Sequence, residues 1–174
     1  MSNPAISVFR PHPKLVKQDK KKHTCWAAAL ESWMSVTPQS PAHWYIKTQE
    51  DAIDEWEMFC NKKGGLDVIW GVQFVAAGTG MDLKVFPDAS KLTGRFLADK
   101  LKTKGHLYFF FAGGQTDIGN GIGHCVVIYR VANFFSDACT LSIMDPWPDV
   151  QGYTENCPLA DFKKAKEAVV GWPE

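Results

Sequence analysis

Apolar residues recur at helical spacing through the first half of the chain and crowd into short continuous runs in the second. Trp26, Ala29, Leu30 and Trp33 fall on one face of a helix beginning at Cys25, with Thr24 at the capping position and Pro38 and Pro41 closing the segment. Ala52, Ile53, Trp56, Phe59 and Cys60 form the apolar stripe of a second helix over about 49–61, and Lys62, Lys63 and Gly64 suit its end. A third helix over 66–77 turns Leu66, Ile69, Val72 and Val75 or Ala76 inward, and Gly78 and Gly80 end it. A short strand is predicted over 82–86, and a fourth helix over about 89–103 carries Leu92, Phe96, Leu97 and Leu101 on one face.

After residue 105 the pattern changes character. HLYFFFA (106–112), HCVVIYRV (124–131) and CTLSIMD (139–145) read as buried strands from their length and their aromatic and β-branched content. A short helix is predicted near 159–166. Helices first and strands second predict an α+β class: a single domain over 1–174, with a helical lobe (about 14–104) packed on an antiparallel β-sheet lobe (about 105–174). Residues 1–23, with prolines at 4, 11 and 13, read as an extended arm and loop. The glycine-rich GGQTDIGNGIG (113–123) lies between two strands and lacks G-K-[ST], so it predicts a mobile loop beside a cleft, not a phosphate cradle.

Composition narrows the function classes. Of 174 residues, 45% are hydrophobic and 13% aromatic, enough for a full core. Lys plus Arg and Asp plus Glu number 19 each, so bulk charge points to no nucleic-acid partner, and the Lys20–Lys22 run reads as a solvated loop. The absence of any apolar stretch of signal or membrane-span length predicts no membrane partner and a cytoplasmic location in the producing cell. Five cysteines, odd in number, widely spaced and without C-x-x-C, suit reduced thiols and argue against a structural zinc site; no metal or cofactor is expected.

The candidate chemistry lies where these elements meet. His124 begins one predicted strand and Asp145 ends the next; a hairpin turning between Phe134 and Phe135 sets them directly opposite one another. A slip of one residue would place them on opposite faces. Cys25, in the first turn of a helix, meets the positive end of the dipole, which favours thiolate, and an adjacent imidazolium would favour it further. The other four lack that setting: Cys60 ends a helix, Cys125 alternates to the strand face opposite His124, Cys139 sits in a strand, and Cys157 precedes a proline. Cys25, His124 and Asp145 together suit nucleophilic attack on a carbonyl, with the imidazole moving the proton and the carboxylate fixing its tautomer. The Cys25 backbone N–H is one candidate oxyanion donor, and Gln18 supplies the side-chain amide of the preceding loop.

These pieces resemble the papain-like cysteine proteases, in their short bacterial forms. They run in family order: Gln18, then Cys25-Trp26-Ala27-Ala28, then Gly123-His124-Cys125-Val126-Val127-Ile128, then Met144-Asp145-Pro146-Trp147. The resemblance implies Cys25 as nucleophile, His124 as general base and acid, Asp145 as its orienter and Gln18 as oxyanion donor. Trp26 and Trp147 are supporting residues, Trp147 covering the bond between His124 and Asp145. Gln18 lies one residue further from the cysteine than is usual in the family, which leaves His23 as a lesser candidate for the oxyanion role. The implied activity is endoproteolysis of a protein substrate, in a bacterial effector or interbacterial toxin delivered into a target cell by a specialised secretion system. An inhibitor or immunity protein is then a further partner. The same triad also serves glutamine deamidation, acyl transfer or peptidoglycan amide hydrolysis, and a catalytically idle binding module is the alternative of another class.

Overall fold

The computed structural model describes residues 6–19, 23–37, 45–67, 70–112, 123–147, 149 and 152–174. Pro38, Pro41, Ile69, the Lys20–Lys22 run and the glycine-rich loop before Gly123 lie outside them. In chain order the elements are β1 (Ser7–Phe9), α1 (Cys25–Met34), α2 (Gln49–Trp56), α3 (Trp70–Thr79), β2 (Met81–Phe86), α4 (Gly94–Thr103), β3 (Leu107–Ala112), β4 (His124–Ala132), β5 (Thr140–Met144), β6 (Tyr153–Pro158), α5 (Leu159–Phe162) and β7 (Glu167–Pro173). The strands form one antiparallel sheet in the order β2-β7-β3-β4-β5-β6, and β1 pairs with the far end of β4. Among the described residues, no helix is long and apolar enough to cross a membrane.

The sheet is covered on both faces. Tyr108, Phe110, Cys125, Val127, Met144 and Val169 pack with α1, α2 and α3 in one apolar cluster. Their alternates Phe109, Phe111, Val126, Ile128, Ile143 and Val170 pack with α4 and α5 in another. Two-sided burial is why β3 and β4 read as unbroken apolar runs instead of alternating ones. The helix layers do not follow chain order: α4, grouped by sequence with the first three helices, lies on the opposite face.

All ten residues of α1 are buried. Consecutive alanines 27–29 keep that helix slim enough to lie between the sheet and α2. Its polar side chains are satisfied locally: Glu31 accepts from Lys14 Nζ at 2.5 Å and from the Gln49 N–H at 2.8 Å, and Ser32 Oγ donates to the Lys14 carbonyl at 2.6 Å. Thr24 holds the N-cap position, but its side chain makes no capping bond; its carbonyl accepts from the N–H groups of Ala27 and Ala28.

Several boundaries differ from the periodicity. The second helix ends at Trp56, continues as a 3-10 turn over Glu57–Phe59, and Cys60 then bridges to Leu66, which takes Leu66 out of the third helix. The predicted fourth helix is a short 3-10 turn over Ala89–Lys91 followed by α4, whose cap is the Thr93 hydroxyl accepting from the Phe96 N–H. β1, β6 and β7 were not anticipated.

The largest correction concerns the β4–β5 hairpin. Val131 faces Leu141 and Ala132 faces Thr140, which centres the turn on Ser136 and not between Phe134 and Phe135. Nearer the site the register shifts, with Val127 facing Met144 and Ile128 facing Ile143. One extra residue on β4, Tyr129, absorbs the shift, and its carbonyl accepts from the Arg10 N–H at 2.8 Å. His124 and Asp145 are therefore not directly opposed.

Candidate active site

β3 and β4 bring Phe111 opposite His124 at one end of the sheet, and α1 presents its first residue there. Extending the near-site register past Met144 sets Asp145 opposite Val126, diagonal to His124. A displacement of two residues keeps both side chains on one face, because strand side chains alternate with period two. Without the extra residue at Tyr129 the displacement would be three, and the carboxylate would point away. The diagonal spans roughly 7–8 Å between backbones, which an imidazole and a carboxylate can bridge. They do: His124 Nε2 and Asp145 Oδ1 lie 2.8 Å apart, both residues buried.

The remaining contacts fix this pair. The Trp147 N–H donates to Asp145 Oδ1 at 2.9 Å, and the Asp145 N–H donates to the Gly152 carbonyl at 2.6 Å. The Trp147 ring stands edge-on to the His124 ring, centroids 6.1 Å apart, and Phe111 closes another side at 5.7 Å. With Nε2 committed to Asp145, Nδ1 is the ring nitrogen left for another partner. The Cys25 sulfur lies 4.0 Å from the carbonyl of Gly123, the residue before His124 in the chain.

Electrostatics follow from this packing. Burial alone would lower the His124 pKa, but hydrogen bonds to Asp145 and Cys25, with their negative charge, reverse this and raise it to about 10. Asp145 is driven the other way: burial opposes ionisation, yet His124, the Trp147 N–H and the charge of Lys17 hold its carboxyl below the usual range. An imidazolium paired with the Asp145 carboxylate is the state this geometry favours.

The other thiols are less suited to attack. Burial pushes Cys139 and Cys157 up to about 11. Cys125 lies wholly buried under α1, and burial raises it well above the ordinary thiol range. Burial and the charge of Glu57 raise Cys60. All five cysteines are free thiols, and among the described residues no cluster of His, Cys, Asp or Glu could hold a metal ion.

Of the residues singled out by sequence, Cys25, His124, Asp145 and Trp147 meet here. Gln18 is buried, and its backbone N–H donates to the Pro146 carbonyl at 3.0 Å, tying it to the Asp145–Trp147 turn. Trp26 works on another side: its indole N–H donates to the Gly64 carbonyl at 2.9 Å, and its carbonyl accepts from the Tyr108 hydroxyl at 3.0 Å, so it anchors the start of α1. The His23 N–H donates to the Lys63 carbonyl. Sequence reasoning passed over Phe111 and Lys17. Phe111 belongs to the buried aromatic run 106–112, and Lys17 to the extended arm, so neither carries a local signal of a site. No family model matches the chain, and no curated protein matches it.

Proposed function

We propose that this protein is a thiol hydrolase with a papain-like arrangement that cleaves peptide bonds in protein substrates. One observation carries the reading: a single buried imidazole joins the Asp145 carboxylate through Nε2, and the thiol at the start of α1 acts on the same ring and raises its pKa. The Cys25 thiolate attacks the substrate carbonyl carbon, and the negative charge moves to the carbonyl oxygen. The Cys25 backbone N–H and the Gln18 amide are the proposed donors to that oxygen. As the tetrahedral species collapses, the proton on His124 passes to the leaving nitrogen and the C–N bond breaks, leaving a thioester on Cys25. Water then attacks the thioester as His124 takes its proton, and the thiolate is released. Asp145 keeps the ring oriented and stabilises its charged form throughout.

Support comes from the placement of each group. Cys25 is the first residue of α1, at the positive end of that helix. The Trp147 ring stands edge-on to the His124 imidazole, and the His124–Asp145 pair is buried. The delivery of such a protein into a target cell, and a matching immunity protein, belong to the same proposal and rest on the resemblance alone.

The test compares wild type with Cys25→Ala and His124→Ala by proteome-wide profiling of new peptide termini, alongside labelling with an epoxysuccinyl E-64-type reagent. Cleavages and label confined to wild type support the reading. A Cys25→Ala protein that generates the same termini overturns it. A mass change in a treated target without chain cleavage would redirect the chemistry to deamidation or acyl transfer.

A further inference from the structure

Resting on the thiol-hydrolase reading, we infer that Lys17 is a positioning residue that clamps the Asp145–Trp147 turn against the N-terminal arm. Two consecutive residues of the N-terminal arm grip two consecutive carbonyls after Asp145. Gln18 N–H donates to the Pro146 carbonyl and Lys17 Nζ donates to the Trp147 carbonyl, each at 3.0 Å. The amide of that same Trp147 donates to Asp145 Oδ1, so Gln18 holds the peptide whose N–H orients the carboxylate and the ammonium holds the carbonyl end of the same residue.

The arm is itself anchored to the helix that bears the nucleophile. Gln49 Nε2 donates to the Lys17 carbonyl at 3.1 Å, and the Gln49 N–H donates to Glu31 Oε2 at 2.8 Å. Glu31 lies on α1, further along from Cys25. The bonds thus run from α1 through Glu31 and Gln49 to Lys17, and on through Trp147 and Asp145 to His124, the ring on which Cys25 of α1 also acts. The charged and titratable groups acting on Asp145 are His124 from β4 and Lys17 from the arm, while Cys125 on β4 and Cys157 on β6 feel its charge. Lys17 is the one cation among these besides the imidazolium, so its loss removes both the clamp and a favourable charge.

The experiment measures the rate of Cys25 alkylation by iodoacetamide against pH, read by mass spectrometry of the Cys25 peptide, in wild type, Lys17→Met and Lys17→Arg. Wild type is expected to react at Cys25 faster than an ordinary thiol. Lys17→Met should move the acid limb upward by roughly half a pH unit or more, and Lys17→Arg should restore most of it. A purely structural lysine would lower the melting temperature and leave the limb in place, which would overturn the inference. If Lys17→Met does not fold, Lys17→Gln, which keeps a donor, gives the same reading. A wild-type Cys25 no faster than an ordinary thiol would instead remove the thiol-hydrolase reading, and this inference with it.

Discussion

His124 and Asp145 lie 2.8 Å apart although they are diagonal neighbours across the hairpin, not facing ones. The extra residue at Tyr129 makes their displacement even, so both side chains fall on one face. The arm reinforces that irregularity, because Arg10 donates to the Tyr129 carbonyl just beyond β1. The same arm supplies Lys17 and Gln18 at the other end of the site. One extended N-terminal segment thus supports both the phase of the His124 strand and the turn carrying Asp145.

Asp145→Asn keeps an oxygen to accept from His124 and Trp147 but removes the charge that sustains the imidazolium. The alkaline limb of Cys25 alkylation should therefore move to lower pH, with about a tenfold loss of turnover. Asp145→Ala removes the orienting bond as well, and turnover should fall by roughly 10²–10⁴-fold. Steady-state assay of both variants on one substrate found by terminus profiling, together with pH-resolved alkylation, checks the pair.

Stability should depend on pH through the same two residues. His124 is raised to about 10 when folded, so its contribution is complete below its unfolded value of about 6.5 and is lost as pH climbs through about 10. Asp145 is lowered, so its contribution is present above its unfolded value of about 4 and is lost as pH falls through its folded one. Urea midpoints should be highest between these limits, and His124→Gln should flatten the decline between neutral pH and about 10.

Gly152 has φ of +91°, and a Cβ there would strike the Leu15 side chain. Its carbonyl receives the Asp145 N–H. Gly152→Ala should cost about 1–3 kcal/mol of unfolding free energy and lower turnover by disturbing the Asp145 backbone. Chemical denaturation and activity measured on one preparation would test the coupling; an unchanged urea midpoint would refute it.

Glu31→Ala should destabilise without touching the reacting groups. It leaves the Gln49 N–H without its acceptor and opens space beside a wholly buried helix, at a cost of about 1–3 kcal/mol. The Lys14 partner is largely exposed, so its ammonium rehydrates at little cost. A lower urea midpoint with an unchanged slope would confirm the effect.

Much of this was legible along the chain. α1 and α2 follow from apolar spacing, and β3, β4 and β5 from runs that only burial on both sides could accommodate. The unanticipated strands have local reasons for silence. β1 is three residues long, β6 is a mostly polar edge strand with Cys157 its one buried residue, and β7 is an EAVVGWP run whose partners β2 and β3 are distant in sequence. Nothing local to α4 states which sheet face it will cover, because an amphipathic helix finds an apolar surface on either side.

By itself, the sequence determined the residue types and their order: a thiol at a helix start, an imidazole at a strand start and a carboxylate after the next strand. Helix and strand periodicities are set by neighbouring residues, so they can be read from neighbours. Tertiary structure alone decided that these groups touch. The turn centre, the extra residue at Tyr129 and the grip of the arm on Pro146 and Trp147 depend on pairings between distant segments. The period of a strand is two, so a single residue of register separates a hydrogen-bonded pair from side chains on opposite faces.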